Sequence, residues 1–416
     1  MKRLSVFAIL AIALFSILAC DIPTTTVTTT STIQIEDIDD WVEVGTPAEL
    51  LAVEKDANVR LTADIDLQNA EWTPLGNQQE PYSGVFDGGN HTIANVRITN
   101  KHDDFVGFFG IVTGTVFDLT LDNVQIDYAT DFLTYAGLFA GYVSGDLTNI
   151  AVEGSIRIQS SQSNVFAGGL AGFATSKVSS TTTATQFQAT EFETIAVDVS
   201  IAVDAKNYVY AGGLAGKTYN VKIQGAVVAA DLELANDQYR IFAGGLSGHN
   251  YSGLLKGFEH VLDVTDIVHE DLIVEATIRT IASKGVLGGL YGYDSYGVIR
   301  RAAVHVVVYF GEAALPVGGL AGESWNGSYH QSAAAVTFGT AILDQDDYVW
   351  GGIVGLTWGT IVANGSVYAL TGAFLPVTML GEETPLVNLQ TTAFFETDLA
   401  WGESAFLQAA ADRFLP

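Results

Sequence analysis

A short glycine-flanked aliphatic core recurs eight times along this 416-residue chain, and it constrains the fold more than any other feature. The copies are Gly107-Phe-Phe-Gly110, Gly137-Leu-Phe-Ala-Gly141, Gly168-Gly-Leu-Ala-Gly172, Gly212-Gly-Leu-Ala-Gly216, Gly244-Gly-Leu-Ser-Gly248, Gly288-Gly-Leu-Tyr-Gly292, Gly318-Gly-Leu-Ala-Gly322 and Gly351-Gly-Ile-Val-Gly355. Between final glycines the intervals are 31, 31, 44, 32, 44, 30 and 33 residues. A unit of that length cannot bury its own apolar face, but stacking on its neighbours can bury it. The chain is therefore expected to be a solenoid.

The segments between cores decide which kind. Gly114-Thr-Val-Phe-Asp-Leu-Thr-Leu121 and Gly145-Asp-Leu-Thr-Asn-Ile-Ala-Val152 match position by position, with looser versions at Gly297–Val304 and Gly359–Ser366. Val197-Asp-Val-Ser-Ile-Ala-Val203 and Ala303-Val-His-Val-Val-Val308 alternate with period two and are rich in branched residues, which means strands. The fold class is thus all-β, a parallel β-helix of about eight or more coils. Leu138, Leu170, Leu214, Leu246, Leu290, Leu320 and Ile353 share one repeat position and are expected to form an internal aliphatic ladder. Eight coils at strand spacing rise roughly 38 Å.

The Gly-Gly-Leu-Ala-Gly cores, each followed by a Gly-x-Ile/Leu strand, resemble the GLUG repeats of bacterial surface proteins. Asp64-Ile-Asp-Leu67, Trp72-Thr-Pro-Leu-Gly76 and Gly84-Val-Phe-Asp-Gly-Gly-Asn-His-Thr-Ile93 are similar to the segment that opens such arrays. The resemblance covers about residues 45–376. The stretches after Gly172 and Gly248 depart from it, lacking a clean Gly-x-Ile strand. It implies a surface-displayed solenoid with capped ends. Thr46-Pro-Ala-Glu49 reads as a helix start with Thr46 as N-cap, placing a short helix through Val53 over the first coil. At the far end, Leu399-Ala-Trp401 and a helical stretch from Glu403 to Arg413 resemble the tryptophan-containing tail that closes such arrays.

The amino terminus adds an address. Lys2 and Arg3 precede an apolar run from Leu4 to Ala19, whose sixteen residues span about 24 Å as a helix, short of the roughly 30 Å hydrocarbon core. The run ends in Ile17-Leu18-Ala19-Cys20, which resembles the lipobox of bacterial lipoproteins. Cys20 is the single cysteine, so disulfides and thiolate metal clusters within one chain are excluded. The two acyl chains implied by the resemblance suffice for stable anchoring. Residues 1–19 are read as a lipoprotein signal peptide and 20–41 as a lipid-anchored threonine-rich and acidic tether. Residues 42–106 are read as the N-terminal cap and first coils, 107–376 as the repeat solenoid and 377–416 as the C-terminal cap. The expected location is extracytoplasmic, at the cell surface, with the membrane as a partner through lipid on Cys20.

Charge narrows the other partners. The formal net charge is −29, and removal of Lys2 and Arg3 takes it to −31. Such a surface repels nucleic acid, so none is expected as a partner. Glu36, Asp37, Asp39 and Asp40 lack the turn glycine of a calcium loop and read as solvated spacer.

Enzymes are the natural rivals, because parallel β-helices include polysaccharide lyases and hydrolases. Asp64 with Asp66, and Asp344 with Asp346 and Asp347, are the acidic groupings to weigh, but the first pair alternates with Ile65 and Leu67 as a strand would. His269-Glu270 begins like a zinc protease motif, yet position 273 is isoleucine. No catalytic residue, metal ligand or cofactor is assigned, and a glycan-active enzyme is the alternative to a non-catalytic adhesin, binding or envelope scaffold protein. The expected ligand is a glycan or a protein of a host or neighbouring cell, and the sequence leaves the oligomeric state open. The two long intervals place insertions near Ser179–Phe192 and Leu254–Glu270, where loops of a solenoid often mark the binding face. Trp325, Tyr329 and Trp358, just after cores, are the candidate exposed aromatic contacts.

Overall fold

The structure, a computed structural model, describes residues 40–100, 104–180, 185–253, 267–311, 315–339, 350–371 and 382–384, with positions 38, 389 and 399. Cys20 and the segment before it, the insertion 254–266, Asp344, Asp346, Asp347, Trp401 and the stretch 403–413 lie outside the described residues.

Each coil has the same three parts. A pre-core strand such as Val165–Gly168 runs into the glycine core, the chain turns at Gly-Leu, and a post-core strand such as Ala171–Thr175 follows. A long strand such as Thr190–Ala205 then returns to the next coil. Like parts stack on like, giving two eight-stranded sheets and a larger sheet whose main path has twelve strands, from Trp41–Val44 to Glu382–Glu383. Their pairings are parallel, as in Leu147↔Phe192↔Ile223 along the long sheet. Twelve strands at β-spacing give a rod of roughly 50 Å. The fold is a parallel β-helix.

The seven ladder residues Leu138 to Ile353 are fully buried. From Leu170 onward the backbone joins them coil to coil, Leu170 N–H donating to Leu214 O (2.8 Å), Leu214 to Leu246 (2.8 Å) and Leu246 to Leu290 (2.9 Å). The inward columns of the long sheet close on them, as in Val152, Val197, Val228, Val274 and Val304 at one register position. Alternation supplies these columns because an in-register parallel stack puts each inward residue over its counterpart.

Two glycines explain why the core motif tolerates so little else. A Cβ on Gly169 would lie 2.3 Å from Val197 Cγ1, so this position lets the long sheet pack onto the corner. A Cβ on Gly172 would lie 2.5 Å from the backbone N of Ala136, because the pre-core and post-core sheets touch there through backbone alone.

A kink bends every long strand, and it too is periodic. Asp118, Asn149, Thr194, Gly225, Asp271, Arg301, Gln331 and Gly365 all have positive φ and occupy one register position in successive coils. Side chains bridge some of these steps, as Asn149 Nδ2 donates to Asp118 Oδ1 (2.6 Å) and Arg301 makes a two-pronged contact with Asp271 (2.6 and 2.8 Å).

The helix Pro47–Leu51 lies next to the first strand of the long sheet. Thr46 Oγ1 accepts from Glu49 N–H (3.3 Å), while Glu49 Oε2 accepts from Gly45 N–H (3.0 Å) and the Thr46 hydroxyl (2.9 Å). The helix buries Leu50, and Val53 is buried just beyond its end. Trp72 stacks on Phe108 at 5.1 Å and donates to its carbonyl (2.8 Å), covering the first core from the open side.

Both insertions leave the coil at one corner, between a post-core strand and the following long strand. The first contains an antiparallel hairpin, Lys177–Ser180 paired with Thr185–Gln188, whose base Thr190 closes by donating to Thr175 O (2.7 Å). Phe192 and His269–Glu270, taken with the insertions on sequence, belong to long strands in register with their neighbours.

Candidate binding face

Sequence spacing placed Tyr329 among exposed aromatics. In the structure it is fully buried. It occupies the inward column Leu147, Phe192, Ile223, His269, Ile299, Tyr329, the position that the Gly-x-Ile/Leu signature fills with an aliphatic residue. Gly327-Ser-Tyr329 is a copy of that signature, a signal present in the sequence that the turn-based reading passed over.

Tyr329 enters the core because a polar column waits for it. Thr218, Asn250, Asp294 and Ser324 share one inward register position on the post-core sheet. Thr218 Oγ1 donates to Asn250 Oδ1 (2.9 Å), Asn250 Nδ2 donates to Asp294 Oδ1 (2.8 Å), and the Tyr329 hydroxyl donates to Asp294 Oδ2 (2.7 Å) with Ser324 Oγ at 2.9 Å. Burial pushes the Asp294 carboxyl up to about 6, against these hydrogen bonds, which favour its ionised form. His269 is equally enclosed. Its Nε2 meets Val221 O at 2.8 Å and its Nδ1 meets the Tyr291 hydroxyl, while burial holds its pKa down at about 4. A neutral imidazole with both nitrogens bonded in the core has no open ligand position.

The outside of the two short sheets carries what sequence reasoning missed. Phe105, Tyr135, Phe166, Tyr210 and Phe242 stand in one column on the pre-core sheet, with ring centroids 5.0, 4.7, 4.5 and 4.9 Å apart in nearly parallel planes. On the post-core sheet a second column runs Tyr142, Phe173, Lys217, His249, Tyr293, Glu323. The two columns converge because the glycine backbones between them are in contact. Tyr135 lies 6.1 Å from Phe173, Tyr210 6.1 Å from His249 and Phe242 6.3 Å from Tyr293. The aromatic-Ala-Gly sequence before four cores, as in Phe166-Ala-Gly168, marks this seam.

Trp325 and Trp358 lie at adjacent register positions on the edge of the same sheet, 47% and 53% exposed. Their column continues through Tyr251 and Tyr219, which stack at 4.9 Å. Glu323 ties the tryptophan end to the seam, accepting from Trp358 Nε1–H (2.9 Å) and Arg240 Nη2–H (2.7 Å). Arg240 lies 4.9 Å over the Phe242 ring. The arrangement is a strip of aromatic surface, with a few fixed charges, running along the solenoid axis. Such a surface can hold sugar rings or apolar side chains.

The acidic pair weighed for catalysis is structurally engaged. Asp64 accepts from Thr92 N–H (2.9 Å) and contacts His91, and Asp66 accepts from Gln68 N–H (2.8 Å) and Asn95 Nδ2 (2.7 Å). These bonds hold both carboxyls below their ordinary range, the wrong direction for a general acid. Among the described residues no group of three or more His, Cys, Asp or Glu side chains is placed to hold a metal ion. No helix among them is long and apolar enough to cross a membrane.

No family model matches the chain. Over 133 residues, 27% of this chain, it is 31% identical to Halomucin of Haloquadratum walsbyi, and the match spans 1% of that protein. A solved protein from Bacteroides ovatus, provisionally described as an immunoglobulin A1 protease, is similar over 86% of this chain and 87% of its own at 16% identity, with a TM-score of 0.41.

Proposed function

We propose that this chain is a non-catalytic binding protein of the GLUG-repeat type, anchored by lipid on Cys20 and displayed outside the cell on its threonine-rich tether. The observation that carries the reading is the seam, where aromatic side chains line the outer face of the two short sheets over several coils. Water-facing strand positions carry polar residues unless packing or a partner favours otherwise, and contiguous aromatic surface is a mark of recognition sites. Trp325 and Trp358 extend that surface toward the carboxyl end. Its role is adhesion, ligand capture or attachment within the envelope, with a glycan or a protein of a host or neighbouring cell as the ligand. The lipobox resemblance supports the address, and the fully packed interior supports a rod that presents a face.

Two experiments test this. The Cys20→Ala chain should appear in the soluble fraction, and continued membrane association would overturn the anchor. That soluble chain, applied to an array of glycans and matrix proteins, should give signals that Tyr210→Ala and Trp358→Ala reduce. An array without any hit, or hits indifferent to both variants, would remove the seam from the account.

A further inference from the structure

We propose that the seam contains an anion subsite, formed by Lys217, His249 and Arg240, that takes the carboxylate of an acidic sugar residue. The proposal rests on the reading of the seam as a binding face and names the chemistry it accepts.

Basic residues are scarce here, 18 Lys and Arg against 47 Asp and Glu, yet three basic side chains gather at one stretch of the seam. Lys217 and His249 are register neighbours on the post-core sheet, and Arg240 stands over Phe242 on the pre-core sheet. Lys217 is partly buried with its ammonium 5.7 Å from the centre of the Phe173 ring. Burial depresses its pKa, and among the described residues no carboxylate is placed to restore it. A partly desolvated cation without a counter-charge is costly, and an anion from outside removes the cost.

His249 supplies the second observation. Its Nε2 has essentially no exposure to solvent and no hydrogen-bond partner among the described residues. Burial and the neighbouring Lys217 hold its pKa down at about 3, so the ring is neutral. An unpaired buried ring nitrogen costs about 1–3 kcal/mol, which a ligand oxygen or hydroxyl would recover. Tyr293 packs edge-on against His249 at 4.9 Å, and Tyr210 and Phe242 flank it at 6.1 Å, which fixes the ring. Arg240 commits Nη2 to Glu323 and keeps other N–H groups for a ligand.

The charge balance chooses the ligand. Glu323 offsets Arg240, leaving Lys217 as one uncompensated cation, which matches a single carboxylate better than a doubly charged phosphate. The aromatic rings on both sides offer faces and edges to the C–H surface of the sugar. Beyond about 8 Å the acidic body repels further negative charge, so the subsite suits an isolated acidic residue in a neutral glycan and disfavours a polyuronate.

The test is saturation-transfer NMR with the purified full chain and glucuronate, glucose and glucose 6-sulfate as probes. Saturation should reach glucuronate and fall by about tenfold in apparent affinity in Lys217→Gln. Lys217→Arg should retain binding, and Lys222→Gln, on the long sheet beside Glu191, should leave it unchanged. No transfer to glucuronate, equal binding by Lys217→Gln, or equal binding of glucose 6-sulfate would each overturn the carboxylate subsite. If neutral glycans still respond to Tyr210→Ala in that event, the seam survives as a binding face without the subsite. If no glycan binds at all, both readings fall.

Discussion

The long sheet and the seam are built from the same coils at the same spacing, yet their outer faces differ in kind. Along one register column the long sheet presents Asp127, Arg157, Ala202, Glu233, Arg279 and Tyr309, mostly charged or small residues facing water. The seam presents rings. On the long sheet an outward side chain meets only the coils before and after it, so water covers the rest and charge is cheap. At the seam two sheets touch through glycine backbone, and outward side chains from both are forced together. The teaching is that the glycine core serves the outside as well as the inside. It admits the aliphatic ladder and it also brings two columns of outer side chains within ring-stacking distance.

Substitutions can break this contrast, beginning with the largest effect. Gly216→Ala would place a Cβ 2.7 Å from the backbone of Ala167 and of Gly172, so the two short sheets must part. It should lower stability by about 3 kcal/mol in a urea titration. A loss below about 1 kcal/mol would mean that the contact is not as tight as described.

The second test concerns the inner side of the post-core sheet, where a polar column replaces the aliphatic one of the long sheet. The Asp294 pKa is raised from an ordinary 3.8 to about 6, so protonation favours the fold. That contribution is complete below about pH 4 and is lost as pH rises through 6. Asp294→Asn should therefore be more stable than the parent by up to about 3 kcal/mol at pH 7.5 and indistinguishable from it near pH 4. The amide fits, since Asn250 still finds an oxygen and the Tyr329 proton can turn to Ser324. The difference between the two chains is the quantity to follow, because His249 and His269, with depressed pKa values, lose stability in the opposite direction as pH falls below about 6.5. A variant that destabilises at pH 7.5 would sink this account of the column.

A smaller effect separates two kinds of glycine. Gly225 has φ of +72°, and the nearest atom to a Cβ there would be 3.8 Å away, so the position needs a left-handed backbone and has space. Gly225→Ala should cost about 1 kcal/mol and Gly225→Asn less, since asparagine occupies the same kink at Asn149. Thermal melting of both would show it, and equal losses would point to crowding instead. The smallest effect belongs to the exposed face. Asp231→Asn, on the long sheet opposite Arg279, should shift stability by less than about 0.5 kcal/mol and leave ligand binding unchanged. A change in binding would move the ligand to the long sheet.

The fold was legible to an unusual degree because a repeated unit states its packing many times. Leu170 and Leu214 occupy one position in successive copies, and in a parallel stack an equal position in the repeat is an equal position in space. The candidate site was less legible. Trp325 and Trp358 sit on the surface as their position after a core suggested, but Tyr329 does not, because its place two residues after Gly327 makes it the inward residue of a strand. Asp294 gave no sign of burial, since its enclosure depends on Tyr329, five residues after Ser324, reaching it from another sheet. Phe166 and Phe173 were visible as residues but not as neighbours.

What the sequence determined by itself, then, is everything that follows from periodicity: strands, parallel stacking, the internal ladder and the corner where insertions leave the coil. Only the tertiary structure decided which outward residues meet. That depends on how sharply the chain folds back at Gly-Gly-Leu-Ala-Gly and on backbone contacts between sheets, distances that a one-dimensional period does not contain. The aromatic seam, and the lysine and histidine set into it, exist because of that fold-back.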